Sequence, residues 1–187
     1  NSMGEVMSYL REKPSTPPFN RERLSKELTQ LREMIDVIDD SVRYANKVVS
    51  DLLDFAKIPK PDFQEVDLNS LIRDVLSTMK IPRNVTVTTQ LDETLPRCKV
   101  DPTQMKRVYF NLVTNALQAI PEGGRLTIKS AKKGSIVEVQ IMDTGVGIPQ
   151  QNMKKVFNVL FTTKAKGAGL GLAVCKKLVE GHGGSIG

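Results

Sequence analysis

The residues best suited to chemistry are two asparagines four positions apart, Asn111 and Asn115, in a segment with helical periodicity. A spacing of four places both side chains on one helix face, together with Arg107 and Gln118. An Asn side chain offers a neutral oxygen to a cation such as Mg²⁺ and an amide donor to a phosphate. A solvated polar face explains the pair equally well, so this motif alone leaves both interpretations open.

A second motif, Asp143-Thr-Gly145-Val-Gly147-Ile148-Pro149, follows a predicted strand directly. An aspartate at a strand end can accept a hydrogen bond from the exocyclic amine of a base. Glycines let a ligand approach the backbone closely. The structural alternative is a tight turn. Asp-Thr-Gly also occurs in acid proteases, but a single copy in a lysine-rich setting argues against that use.

A third motif, Gly167-Ala-Gly169-Leu170-Gly171-Leu172, opens a predicted helix. Backbone N–H groups at a helix start bind phosphate because they are unpaired and lie at the positive end of the helix dipole. The motif lacks the Gly-Lys-Ser/Thr ending of a P-loop, and no strand precedes it as in a dinucleotide fingerprint. A flexible loop with helix-packing glycines is the structural alternative.

The charge distribution also favours an anionic ligand. Net charge is +6, yet residues 1–60 carry ten basic and ten acidic residues, so the excess lies in residues 61–187. Between Asp143 and Glu180 there is no acidic residue and there are six lysines. Nucleic acid is one candidate partner for such a field. Few aromatic residues are present to stack bases, and the glycines favour the phosphates of a nucleotide instead.

The N-terminal third has a helical repeat. Apolar or small residues recur from Leu24 to Leu52 in alternating steps of four and three, which predicts one long helix in a coiled coil or bundle. Residues 5–13 predict the tail of an earlier helix, which the prolines of residues 14–18 end. The two helices predict an antiparallel hairpin. Pairing two hairpins in a four-helix homodimer would cover the apolar seam.

Pro59 and Pro61 predict a linker after the long helix. We therefore predict an α+β protein with a helical hairpin at 1–60 and an α/β sandwich with a mixed sheet and a lid at 61–187. The elements predicted in the second domain are helices 67–79, 103–120 and 169–180, a strand at 85–91, and a hairpin of strands 125–131 and 136–142. Asp67 is predicted to cap the first of these helices.

Two further features limit the class of protein. Cys98 and Cys175 lack metal-type spacing, and we expect them to be buried thiols in a reducing compartment. No apolar run approaches the ~20 residues of a membrane span. We expect this part of the protein to be cytoplasmic, whether or not the parent protein is anchored in a membrane.

The three motifs occur in a fixed order, with Phe157–Lys164 between the second and third. In this order they resemble the N, G1, F and G2 boxes of sensor histidine kinases, within the wider family that includes gyrase, the Hsp90 chaperones and MutL. The closing segment Glu180–Ile186 is also similar. The resemblance covers residues 65–187, and the hairpin resembles the dimerisation and phosphotransfer domain of these kinases.

The resemblance implies ATP and Mg²⁺ as cofactors, homodimerisation through the hairpin, and a response regulator receiver domain as partner. It implies neither nucleic acid binding nor membrane contact in this part of the chain. The implied reaction transfers the γ-phosphoryl group of ATP to a histidine on the dimerisation helix, and then to an aspartate of the response regulator.

The resemblance also assigns site residues. Asn111 would hold Mg²⁺ and, with Lys164, act in catalysis, while Asn115 would lie nearby, at the phosphates or the sugar. Asp143 would bind the adenine amine. The remaining cofactor-binding residues implied are Gly145, Gly147 and Ile148 at the base, Thr162, Thr163, Lys164 and Lys166 on the lid, and Gly167, Gly169, Leu170, Gly171 and Leu172 at the phosphate-facing helix start. Position 168 is Ala where the family often has Thr or Ser, and the lid is short.

Two alternatives belong to other functional classes. The first is an ATPase switch of the gyrase, Hsp90 and MutL type, in which a Glu four residues before the metal-binding Asn activates water. Here that position is Arg107, which cannot accept a proton at neutral pH. The second is a degenerate module that binds nucleotide or partners without catalysis.

The only histidine of the chain, His182, follows the last predicted helix and is predicted to be structural. Asn1-Ser2 resembles the residues that follow the phosphoacceptor in some histidine kinases. We therefore expect the acceptor about one helical turn upstream of Asn1, on the same helix face. The chain as given is predicted not to phosphorylate itself on histidine.

Overall fold

A computed structural model describes residues 21–164 and 167–187. The chain divides into two compact units, residues 1–46 and 47–187. The predicted first helix of the hairpin, at residues 5–13, and the lid residue Lys166 lie outside the described residues. Within the described residues, no helix has both the length and the apolar character needed to cross a membrane.

Helix α1, Arg21–Ala56, is one continuous helix of 36 residues, which confirms the predicted long helix. It ends shortly before Pro59 and Pro61, as predicted. Its apolar seam is exposed, with Leu28, Ile35 and Ile38 each more than half accessible to solvent. A helix with such a stripe requires a partner surface to bury it.

The second unit contains the other helices. In chain order they are α2 (Leu68–Thr78), α3 (Pro102–Ala119), α4 (Gln150–Met153) and α5 (Gly171–Gly181). The three longer ones match the predicted helices within a few residues. Helices α2 and α3 both begin at an aspartate, Asp67 and Asp101, whose side chain accepts hydrogen bonds from two backbone N–H groups of the first turn. The predicted cap at Asp67 is confirmed.

The strands form two small sheets. They are β1 (Gln64–Val66), β2 (Val85–Leu91), β3 (Cys98–Val100), β4 (Gly124–Lys133) and β5 (Ile136–Asp143). Strand β4 pairs in parallel with β2 and antiparallel with β5, so the predicted hairpin and mixed sheet are confirmed. Strands β1 and β3 pair antiparallel and were not predicted. Three residues are too few to show the alternation that identifies a strand.

One hydrophobic core joins the helices to the three-stranded sheet, which confirms the α/β sandwich. Its most deeply buried side chains are 2% exposed or less and come from α2, β4, α3 and α5; among them are Ile72, Val113, Leu126, Ile128, Cys175 and Leu178. The core is mostly aliphatic and includes the aromatic ring of Tyr109. Both cysteines are free thiols; Cys175 is buried as predicted, whereas Cys98 is only half-buried.

Candidate nucleotide-binding site

Helix α3 presents Asn111, Asn115 and Gln118 on one face, as the spacing predicts. The two asparagines are partly buried and Gln118 is exposed. Other faces of the helix bury apolar residues such as Val108 and Val113 in the core. The polar face is therefore held in a fixed orientation by the packing behind it.

Lys164 reaches this face from the lid segment, whose described part is residues 160–164. Its Nζ donates to Asn115 Oδ1 at 3.2 Å and to Gln118 Oε1 at 2.6 Å. Partial burial lowers the pKa of Lys164 below its ordinary value because the charged ammonium loses solvation. The structure thus brings together two predicted site residues, Asn115 and Lys164. It adds Gln118, which lay on the predicted face but was not assigned to the site.

Asn111 lies against helix α5, where its side chain hydrogen-bonds the thiol of Cys175. Burial raises the pKa of Cys175 to about 11, and the bond from Asn111 opposes part of that shift. The thiol is therefore neutral at physiological pH, and it also donates to the carbonyl of Val108 at 3.8 Å. Cys175 was not assigned to the site. It stands one helical turn after Gly171, a spacing that could have pointed to it.

The Asp143 loop, residues 143–149, is fixed to the start of β4 and to the end of α3. Asp143 is the last residue of β5, and one of its oxygens, Oδ1, accepts from the N–H of Gly145 at 2.9 Å. The N–H of Val146 donates to the carbonyl of Ala119 at 3.1 Å, and Thr144 pairs with Arg125 through both backbone and hydroxyl. The carboxylate of Asp143 is exposed. The loop thus holds a carboxylate at the end of α3, beyond Asn115.

The loop glycines have different surroundings. A Cβ on Gly145 would lie 2.3 Å from the carbonyl oxygen of Ala119. The loop packs so closely on the end of α3 that this contact by itself requires glycine at position 145. Gly147 adopts φ +67° with nothing within 4 Å of a Cβ position, and the next residue, Ile148, is half exposed. Contact of Gly145, Gly147 and Ile148 with a base stays a prediction.

The third motif packs on the lid segment. Gly169 has φ +66°, and a Cβ there would lie 2.5 Å from the carbonyl carbon of Leu160. A Cβ on Gly167 would lie 2.5 Å from the hydroxyl of Thr162, which accepts from the N–H of Lys164 at 3.0 Å. Thr163 is exposed. The glycines thus allow the lid segment to lie close to the start of α5.

The start of α5 is open, unlike the starts of α2 and α3. Its N-cap residue is Leu170, which makes no side-chain cap, and the side chain of Leu170 is buried in the core. The first intrahelical bond runs from Val174 N to Leu170 O at 2.8 Å. The preceding N–H groups, including those of Gly171 and Leu172, therefore lack an intrahelical acceptor.

This open start lies beside the polar face of α3. A Cβ on Gly171 would be 3.9 Å from Nδ2 of Asn115, the residue that holds Lys164. N–H groups without an intrahelical acceptor, the positive end of a helix dipole and a lysine ammonium thus lie close together around Asn115. Each of them favours an anion, and a phosphate group fits their combination.

His182 has the structural role that its position predicted. The N–H of Asp101 donates to its Nε2 at 2.9 Å, and Nδ1 donates to the carbonyl of Leu178 at 2.8 Å. Its ring also meets the ring of Phe63 edge to face, with 5.3 Å between centroids. Both ring nitrogens are engaged, so neither is free to accept a phosphoryl group.

Comparison with known sequences places these residues in a family. A family model described as "Histidine kinase-, DNA gyrase B-, and HSP90-like ATPase" matches residues 100–187, which include α3, the Asp143 loop and α5. Sensor histidine kinase ZraS of Escherichia coli O157:H7 is 35% identical over 160 residues, which cover 84% of this chain and 35% of that protein. The chain spans about a third of the length of the curated relatives it matches.

Solved structures show the same fold. The catalytic domain of histidine kinase ThkA is 38% identical, with a TM-score of 0.58 over 64% of this chain and 80% of that chain. Histidine kinase ThkA in complex with response regulator protein TrrA is 28% identical, with a TM-score of 0.68 over 98% of this chain and 51% of that chain. The chain therefore belongs to the histidine kinase family and carries the family's ATPase-like domain in its second unit.

Proposed function

We propose that residues 61–187 bind Mg-ATP and transfer its γ-phosphoryl group to a histidine on the dimerisation helix, from which it passes to a response regulator aspartate. The observation that carries this proposal is the open start of α5 beside Lys164 and Asn115. It supplies backbone N–H groups and a cation on either side of Asn115. The family membership supports the reaction class.

The base would lie toward the Asp143 loop. One carboxylate oxygen of Asp143 holds the loop through Gly145, which leaves the other for the exocyclic amine of adenine. A guanine presents a carbonyl at the corresponding position, and a carboxylate cannot donate to it. Asp143 would therefore select adenine over guanine.

Asn111 fits the proposed metal site because its side chain offers a neutral oxygen and is held in place by Cys175. Mg²⁺ prefers oxygen ligands and in nucleotide sites takes most of them from phosphates and water. When bound, the metal would neutralise charge that develops on the phosphates. Asn111 itself would orient the β- and γ-phosphates relative to the open start of α5.

Lys164 would exchange its present partners for a phosphate. Its ammonium now donates to two neutral amide oxygens, on Asn115 and Gln118. A hydrogen bond from an ammonium to a phosphate oxygen is stronger than one to an amide. The side chain of Lys164 would thus turn from the two amides to a phosphate when ATP binds.

We propose a homodimer through α1, because its exposed seam includes Leu31, Val42 and Val49 in heptad register. The response regulator partner is proposed because ThkA, similar over 98% of this chain, is seen in complex with response regulator protein TrrA. ATP and such partners are cytoplasmic, and we place this part of the chain there. Sedimentation equilibrium should give a dimer, and a monomer at all concentrations would contradict the proposed homodimer.

The ATPase-switch alternative is not favoured. The chain has Arg107 where those enzymes need a base, and ZraS and ThkA, to which the chain is similar, are named histidine kinases. A module that binds nucleotide without catalysis would share every binding property described here. The phosphotransfer experiment below distinguishes it.

Calorimetric titration with ATP tests the metal and nucleotide parts. We expect ATP affinity to rise with Mg²⁺ in the wild-type chain and to lose that dependence in Asn111→Ala. Asn46→Ala, which removes an exposed asparagine on α1, serves as the matched control and should behave as wild type. Equal Mg²⁺ dependence in Asn111→Ala would rule out the metal assignment.

Phosphotransfer is tested with labelled ATP and Mg²⁺. The chain as given should acquire no acid-labile, base-stable phosphate. The same chain extended upstream through the expected acceptor should acquire it. Label on His182 in the given chain would contradict the assignment, and an extended chain that binds ATP but stays unlabelled would favour the binding-only module.

A further inference from the structure

The C-terminal end of helix α1 is stabilised from outside the helix. Its own last turn, residues 53–56, contains no basic residue. The last carbonyls of a helix lack intrahelical partners and lie at the negative end of the dipole, so they favour a cation. Lys177 of α5 supplies it, since its Nζ donates to the carbonyl of Phe55 at 3.1 Å and lies 4.7 Å from the Phe55 ring centroid.

The segment after α1 is also held at several points. Gln104 Nε2 donates to the carbonyl of Pro59 at 3.0 Å, and the N–H of Asp62 donates to Asp101 Oδ2 at 3.0 Å. Phe63 packs against His182. The sequence predicts a linker here, but these contacts fix it to the start of α3 and the end of α5.

The same two helices carry the candidate nucleotide site at their other ends. In α3, Gln104 holds the linker and Asn111 lies two turns further on. In α5, Lys177 holds the end of α1 and Gly171 opens the helix beside Asn115. From Gly171 to Lys177 the helix rises about 9 Å. Lys177 therefore lies on the same helix as part of the candidate site, but its side chain contacts α1.

We infer that Lys177 is a positioning residue for phosphoryl transfer: it fixes the last turn of α1 to helix α5 without contacting the nucleotide. Productive transfer requires the acceptor histidine and the γ-phosphate to meet in a defined geometry. A freed helix end would sample more orientations and present the acceptor less often. This inference rests on the proposed function, because it assumes that the acceptor is carried by the helical domain.

Hydrogen exchange tests the anchoring in the chain as given. The amide of Lys57 donates to Leu53 O at 3.0 Å and reports opening of the last turn. Lys177→Met should raise its exchange rate roughly three- to tenfold, through loss of a charged hydrogen bond and a cation–π contact at an exposed site. Lys177→Arg should restore most of the protection. Lys176→Met is the matched control, because Lys176 only approaches Glu180 at 3.8 Å, and it should leave the rate unchanged.

Kinetics of the upstream-extended chain test the role. Lys177→Met should lower the autophosphorylation rate at saturating ATP roughly tenfold, with KM for ATP within about twofold of wild type. Lys177→Arg should recover most of the rate. A wild-type rate in Lys177→Met, or unchanged exchange at Lys57, would overturn the inference, as would a large rise in KM. If the wild-type extended chain forms no phosphohistidine while exchange changes as expected, the proposed function fails and the anchoring stands.

Discussion

Helices α3 and α5 each have one end that is closed by the protein and one end turned toward the candidate site. At its closed end, α3 is capped by Asp101, which accepts from three backbone N–H groups. At the closed end of α5, His182 accepts from the N–H of Asp101 and donates to the carbonyl of Leu178. At the other ends, α5 starts without a side-chain cap and Asn115 of α3 holds a lysine from the lid.

The difference separates groups that stabilise the fold from groups available to a ligand. A buried donor with an internal acceptor contributes to stability, and its loss costs the desolvation of the donor. A helix start without a cap contributes less to stability but keeps its N–H groups for an anion. Changes at the closed ends should therefore affect unfolding, and changes at the open ends should affect nucleotide affinity.

The largest effect on stability is expected for Asp101→Ala. It removes the acceptor of the N–H groups of Asp62, Thr103 and Gln104, and the free energy of unfolding should fall by about 2–4 kcal/mol. Urea denaturation measures this. The matched control is Asp67→Ala, an exposed cap of α2, which should cost about 1 kcal/mol. An equal or larger loss in Asp67→Ala would remove the distinction between the two caps.

Gly145→Ala should affect both stability and nucleotide affinity, because Gly145 belongs to the candidate site and packs on α3. The added Cβ would meet the Ala119 carbonyl, and the displacement should cost about 1–3 kcal/mol and weaken ATP binding. Gly147→Ala is the control for the stability loss, with open space around its Cβ and only a backbone cost of about 1 kcal/mol. Thermal unfolding and ATP titration of both variants test this, and a harmless Gly145→Ala would show that the loop is not held against α3.

His182→Ala should cost about 1–2 kcal/mol, because the part-buried N–H of Asp101 loses its acceptor. Affinity for ATP should remain that of the wild type, since His182 lies at the closed end. His182→Gln, which retains a side-chain acceptor, should recover part of the stability. Loss of ATP binding in a folded His182→Ala protein would contradict the division between the two ends.

The smallest effect is a pH dependence. Burial of Asp101 opposes ionisation, but hydrogen bonds from the backbone of Asp62, Gln104 and Thr103 outweigh it and lower the pKa of the carboxyl. A lowered pKa in the folded state stabilises the protein at pH values above the ordinary pKa of Asp. This contribution to stability is lost as pH falls below about 4. Urea denaturation between pH 3 and 7 should show that the free energy of unfolding falls less at acid pH in Asp101→Asn than in the wild type. Identical profiles would exclude this contribution.

The features that could be predicted from the sequence are those with a local signal. The heptad steps of α1, the cap at Asp67 and the hairpin of β4 and β5 each lie within a short window of residues. The resemblance also assigned residues from distant parts of the chain to one site. Asn115 and Lys164 are 49 positions apart and their side chains are hydrogen-bonded.

The features that were missed depend on tertiary contacts. Strands β1 and β3 have three residues each and are defined by their mutual pairing. His182 reaches Asp101 across 81 positions, and Lys177 reaches Phe55 across 122. Nothing in the local pattern around a histidine between glycines, or around a lysine on a helix surface, distinguishes such a contact from exposure to solvent.

Backbone amide NMR during titration with Mg-ATP tests the central claim most directly. The N–H groups of Gly171, Leu172 and Ala173 at the open start of α5 should show the largest shifts. The capped N–H groups of Asn69 and Ser70 in α2 and of Thr103 and Gln104 in α3 should stay within the spread of distant residues. Shifts of equal size at the capped starts, or none at residues 171–173 under saturating ATP, would contradict the account.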